Sequence, residues 1–155
     1  MAQISKKIQI AETALPLFLN DGFKATSIDK VVKASKVSKP TIYNHFPDKE
    51  ALLYFALQHW LEQQETPLIQ ATGELDLQHQ ISQHWLTQEA ILFYGLFLGE
   101  GHNAHEAKTL FLTQFDEPWR HALRTWSISH KKDPEQWQHY ISHKIVASRF
   151  YTAME

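Results

Sequence analysis

Residues 26–49 read TSIDKVVKASKVSKPTIYNHFPDK, and the fold is decided there. Thr26 or Ser27 can open a short helix at Ile28, because a hydroxyl at that place accepts an otherwise orphaned backbone N–H. Ser38 can open a second, with Lys39-Pro40 in its first turn, where the N–H that proline lacks has no partner anyway. Pro47-Asp48 ends that helix and caps the next. Ser35-Lys36-Val37-Ser38 leaves room only for a turn. Ile28, Val31, Val32, Val37, Ile42 and Phe46 can form a small core that fixes the angle between the helices. Lys39, Thr41, Tyr43, Asn44 and His45 then point away from it, all with hydrogen-bonding heads. A helix of two turns with that outer face suits a major groove about 12 Å wide. The pair reads as a helix-turn-helix, with residues 39–45 as its recognition helix.

Outward from this stretch the chain stays helical. Ile4, Ile8, Ala11, Leu15 and Phe18 step by three and four, as one face of a helix does, and Gly22 supplies its stop. Pro16 is a misfit in that helix. Asp48 caps a fourth helix to about Gln64, with Leu52, Leu53, Leu57 and Leu61 inside. Further helices are expected at about 75–86, at 88–100 after a Thr87 cap, and at 104–130. A last one follows Asp133-Pro134-Glu135-Gln136, with Asp as cap and Pro at the first position. Strand-like alternation and repeats are missing. The expectation is an all-α chain: a three-helix DNA-binding domain over residues 1–50 and a further helical domain over 51–155.

Composition narrows the function. There is no cysteine, which excludes disulfides and thiolate chemistry. No apolar run approaches the ~20 residues of a membrane span, and no signal peptide is visible, so a soluble, cytoplasmic protein is expected. Residues 1–50 hold eight lysines against five acids, while the chain as a whole carries −2. A basic first third on an acidic body suggests that a polyanion meets one end only.

From Ile10 through Leu53 the sequence resembles the DNA-binding domain of the tetracycline-repressor (TetR) family of bacterial regulators. The matching residues are Ile10, Ala11, Ala14, Leu17-Phe18, Gly22-Phe23, Thr26-Ser27, Ala34, Val37-Ser38, Thr41-Ile42-Tyr43, His45-Phe46, Lys49 and Leu52-Leu53. It departs at Pro16 and at Lys36, where the family often has a turn glycine; Lys36 then has to take a positive φ, at roughly 1 kcal/mol. The resemblance implies double-stranded DNA as partner. Thr26 and Lys49 would hold phosphates at helix N-termini, Ser38 would cap the recognition helix, and Tyr43 and His45 would touch the backbone. Lys39, Pro40, Thr41 and Asn44 would meet base edges. It also implies a ligand-responsive repressor that reads a palindrome as a homodimer, its recognition helices about 34–36 Å apart. The fourth helix would transmit the effector's signal, and against the usual length of that family this chain reads as short by a helix or two, or as truncated after Glu155.

In the C-terminal part, residues 90–98 (AILFYGLFL) are apolar all round and predict a buried central helix. The same resemblance implies an unidentified small-molecule effector in an apolar cavity, expected here among Trp85, Tyr94, Phe97, Phe111 and Phe115. Stripes of Trp119, Leu123 and Trp126, and of Trp137, Ile141, Ile145 and Ser148, widened by Tyr140, Ala147, Tyr151 and Met154, predict a two-fold four-helix interface. Of ten histidines, His139 and His143 have chelating spacing, but His79, His84, His102 and His105 are scattered and supply no fixed third ligand. Neither a metal site nor a cofactor is expected. Hydrolase and phosphate-loop motifs are missing, so the chain does not read as an enzyme. The alternative is a helical sensor or partner-binding module that keeps the helix-turn-helix without an inducer.

Overall fold

The computed structural model describes residues 4–152. Among these stand nine α-helices and no strand: α1 Lys6–Asp21, α2 Ile28–Ser35, α3 Lys39–His45, α4 Lys49–Glu62, α5 Glu74–Gln80, α6 Gln88–Glu100, α7 His105–Phe111, α8 Glu117–Ser129 and α9 Pro134–Thr152. Two π turns, Ile81–Trp85 and Leu112–Asp116, follow α5 and α7. The protein is all-α.

Local chemistry sets the helix starts. Ser27, Ser38 and Asp48 accept the N–H groups of Lys30, Thr41 and Ala51 at 3.1, 3.4 and 2.8 Å. Thr26 is not the cap of α2. Its hydroxyl is fully buried and donates to the carbonyls of Leu17 and Gly22. Lys36 takes the left-handed conformation that ends α2, φ 57°. Gly22 stands at φ 91°, a region L side chains rarely adopt. Before α9, Asp133 accepts the N–H of Glu135.

Three expectations change. The buried face of α1 is Ile10, Ala11, Ala14 and Phe18; Ile4 precedes the helix and is exposed, and Ile8 and Leu15 are only half-buried. Pro16 sits at an exposed position and the helix continues through it. The single helix expected over 104–130 is α7, a π turn and α8. Pro118 accounts for this: it has no N–H for the carbonyl of Gln114, and its ring crowds that carbonyl, so the preceding turn widens. Nor is α6 buried all round. Ala90, Phe93, Tyr94, Leu96 and Phe97 are buried, whereas Leu98 is exposed.

The chain forms two compact units. The first comprises residues through Gln64 together with Leu96–Phe111, and so holds α4 whole. Its interior holds Phe18, Val31, Ile42, Phe46, Leu52, Leu53, Leu57 and Trp60, with Phe97 and Phe111. Each large side chain buried there is worth about 1.5–3 kcal/mol. The second comprises Glu65–Gly95 and Leu112 onward. Its interior holds Leu77, Ile81, Trp85, Phe93, Phe115, Trp119, Leu123, Trp126, Trp137, Ile141 and Ile145. The two stripes expected to face another subunit therefore close this unit's own core. The apolar residues that α8 and α9 leave exposed are Ile128, Val146 and Phe150. The side chains of Tyr151 and Met154 lie outside the described residues.

Candidate nucleic-acid interface

The first unit holds α2 and α3 against α1 and α4. Val31, Val37, Ile42 and Phe46 are buried as expected, while Ile28 and Val32 are half-buried. Phe46 packs on Phe55 with ring centroids 5.5 Å apart. Ser35 fastens the turn from inside: its hydroxyl donates to Val31 O at 2.7 Å and accepts Val37 N–H at 3.3 Å. Gln9 on α1 donates to the Ser35 carbonyl at 3.3 Å. The angle between α2 and α3 is thus set by packing and by backbone carbonyls already in use.

With Ile42 turned in, the rest of α3 faces out. Ser38, Lys39, Pro40, Asn44 and His45 are exposed, Tyr43 is 44 % exposed, and Thr41 is half-buried. The hydroxyls of Ser38 and Thr41 bond each other at 2.7 Å. Lys39 pairs with Asp29 on α2 at 3.0 Å. The hydrogen bond to Asp29 first, and its charge second, raise the Lys39 pKa above the ordinary lysine value. That exposed pair is held loosely and can be exchanged for another acceptor. Lys49, in the first turn of α4, lies 4.4 Å from the centroid of the Phe23 ring and 3.5 Å from the Lys24 carbonyl oxygen. Of the nine residues expected at DNA, eight therefore lie exposed or half-buried within residues 38–49. Thr26 is turned inward.

The five residues expected around an effector are divided between the two units. Phe97 and Phe111 belong to the first unit, their rings 5.4 Å apart; Trp85, Tyr94 and Phe115 belong to the second. In the second, a polar chain runs through the core. Trp85 Nε1 donates to the Tyr94 hydroxyl at 3.0 Å, and that hydroxyl donates to Asp116 at 2.6 Å. Arg120 Nε donates to both Asp116 oxygens at 3.0 and 2.9 Å, and Arg120 Nη1 to Gln138 at 2.9 Å. Burial first, and the Asp116 charge second, push the Tyr94 phenol far above its usual range. A groove of about 540 Å³ lies between residues 67–72 and α8, at Pro118, His121, Thr125 and Trp126. None of the five lines it. Histidines pair singly, His59 with Glu12 and His84 with Glu65, each at 2.9 Å. Among the described residues no three His, Asp or Glu side chains converge as a metal would require. Nor is any described helix long and apolar enough to cross a membrane.

Sequence reasoning missed Asp29, the partner of Lys39, and Glu100, whose carboxylate accepts the N–H groups of Phe23 and Lys24 at 3.0 and 2.8 Å. Neither had a readable signal. An acid in a helix's first turn is commonplace, and Glu100 lies more than seventy residues from its partners.

A short capped helix presented on three others, polar outside and anchored by Ile42 and Phe46, defines a helix-turn-helix DNA-binding module. Residues 10–54 match the model of the bacterial regulatory proteins of the tetR family. Over 64 residues the chain is 39% identical to the HTH-type transcriptional regulator YuxN of Bacillus subtilis (strain 168), a match covering 41% of this chain and 22% of YuxN. It is 34% identical over 64 residues to the HTH-type transcriptional regulator HbdR of Aromatoleum sp. (strain CIB), covering 40% of this chain and 28% of HbdR. The matched stretch thus spans less than a third of either relative. Two solved structures described as TetR-family regulators share the fold. One, from Mesorhizobium loti MAFF303099, has a TM-score of 0.63 at 17% identity, covering 77% of this chain and 65% of that one. The other, from Shewanella sp. PV-4, has a TM-score of 0.59 at 22% identity, covering 96% and 86%.

Proposed function

We propose that the protein is a DNA-binding transcriptional regulator, a repressor that reads a palindromic operator as a homodimer and answers to a small effector. Residues 1–50 read DNA; residues 51–155 carry dimerisation and effector response. The observation that carries this reading is α3, which buries Ile42 and leaves Lys39, Pro40, Tyr43, Asn44 and His45 in solvent. Tyr43, His45 and Lys49 hold the phosphate backbone, Ser38 caps the reading helix, and Lys39, Pro40, Thr41 and Asn44 meet base edges. Thr26 contributes by fixing the turn, its hydroxyl already given to the carbonyls of Leu17 and Gly22. A seven-residue helix spans too few base pairs to be selective alone, which favours two copies. The outer faces of α8 and α9, with Ile128, Val146 and Phe150, are the surface proposed for the pairing.

One observation favours a second reading, a regulator module without an inducer. The polar heads of Trp85 and Tyr94 already have protein partners, so an entering ligand must displace them. Titration of labelled duplex DNA at rising salt tests the main reading. Affinity falls as a power of salt concentration if several lysines neutralise phosphates. A protein that leaves duplex DNA unbound at low salt would end it. Sedimentation equilibrium at tens of micromolar tests the dimer, with Phe150→Glu expected to give monomers.

A further inference from the structure

Glu100 is the last residue of α6. A carboxylate is electrostatically out of place there, because the C-terminal end of a helix carries partial negative charge. What it accepts accounts for it: the N–H groups of Phe23 and Lys24, successive donors in the turn between α1 and α2. Bonds of this kind to an ionised acceptor are about twice as strong as neutral ones. The carboxylate lies over Gly22, where a Cβ would run into Glu100 Oε1 and push it aside, and the φ of 91° there itself favours glycine. The Lys24 peptide is held on both sides. Glu100 takes its N–H, and the Lys49 ammonium stands 3.5 Å from its carbonyl oxygen while covering the Phe23 ring. Together they line a hollow of about 760 Å³ with Asp21, Ala25, His102 and Asn103.

We propose that Glu100 is a positioning residue for DNA binding. By holding the turn at Phe23 and Lys24 it fixes the ring and the carbonyl on which the Lys49 ammonium rests, and so seats that ammonium for the phosphate backbone, although its own charge opposes that backbone. The proposal rests on the DNA-binding reading above. It carries a sign that a pure charge effect lacks. Removing an acid from a DNA-binding face tightens binding through the long-range field, whereas loss of a positioning carboxylate loosens it. Glutamine offers one carbonyl oxygen and turns an NH2 toward the second N–H, so it cannot serve both donors.

The test titrates a labelled random-sequence duplex, long enough for two half-sites one turn apart, with wild type, Glu100→Gln and Glu106→Gln. Glu106 is an exposed acid on α7 of the same unit. The expected result is binding weakened roughly five-fold or more by Glu100→Gln, with binding equal to wild type or tighter for Glu106→Gln. Wild-type affinity or better in Glu100→Gln overturns the proposal. If wild type itself leaves the duplex unbound, the DNA-binding reading falls and takes this proposal with it. Amide hydrogen exchange supplies a readout free of DNA. Phe23 and Lys24 are protected in wild type and exchange about ten-fold faster or more in Glu100→Gln, while α4 amides keep their rates. Should Glu100→Gln not fold, unprotected Phe23 and Lys24 amides in wild type would still overturn it.

Discussion

Tyr43 and Tyr94 carry the same phenol in opposite circumstances. Tyr43 stands 44 % exposed on a two-turn helix whose neighbours are also polar and outward. Tyr94 is buried, and its hydroxyl both donates to Asp116 and accepts from Trp85. The contrast extends to the cations. Lys39 is loosely paired with Asp29 in water, whereas Arg120 is fixed by two bonds to Asp116 and one to Gln138. A surface polar group left largely to water is available to a partner. A buried one with every head in use holds the fold together. The α3 face is thus built for an intermolecular exchange of hydrogen bonds, and the Trp85-Tyr94-Asp116-Arg120 chain is built to remain closed.

Substitutions can break this contrast in order of size. Asp116→Ala leaves Arg120 and the Tyr94 hydroxyl without their shared acceptor, and should cost about 2–3 kcal/mol of stability in urea unfolding. Tyr43→Ala should shift stability by less than about 0.5 kcal/mol, yet weaken duplex binding roughly ten-fold, or about 1.4 kcal/mol. A stability loss as large as that of Asp116→Ala would abolish the distinction. Tyr94→Phe should cost about 1 kcal/mol by orphaning the Trp85 N–H, and leave the salt dependence of DNA binding unchanged. The smallest effect is a pH dependence. Asp76 accepts the backbone N–H of Thr72 at 2.9 Å, and that bond holds its pKa below the ordinary carboxyl value. Its contribution is present above the unfolded carboxyl pKa of about 3.9 and is lost as pH falls through the lower folded value. The Tm gap between wild type and Asp76→Asn should therefore be constant near neutrality and close in acid.

The helix-turn-helix was legible because its signals are local. Ser38, Pro40 and Asp48 act within three residues, and Lys36 adopts its left-handed conformation for reasons of turn geometry alone. Spacing also separates Ile42 and Phe46 from their outward neighbours. Farther along, periodicity says that a side chain is covered but not by what. Trp119, Leu123, Trp137 and Ile141 form regular stripes whether the neighbour is another subunit or, as here, the chain's own second unit. The polar chain through Tyr94 was out of reach, because its members are scattered from 85 to 138 and none is unusual alone. Between Thr26 and Ser27 the sequence left the cap of α2 open. A hydroxyl before a helix suggests a cap, but the adjacent Ser27 took that place and left Thr26 to the carbonyls of Leu17 and Gly22.

The π turn at Ile81–Trp85 has a consequence for the tolerance of this chain to changes of length. Leu77, Ile81 and Trp85 are buried four residues apart, a spacing that drifts around an α-helix, which turns about 100° per residue. The wider turn, closed by Leu86 N–H on Ile81 O at 2.7 Å, absorbs one residue more and keeps the Trp85 indole on its face against Trp119. Ser82, Gln83 and His84 between them are exposed. A one-residue deletion among these three returns the segment to α geometry with Trp85 three positions from Ile81, still on the covered side. The same deletion inside α6 swings every later side chain of that helix by about 100°. The π turn is a length buffer, the place where an insertion can enter or leave without disturbing the core on either side.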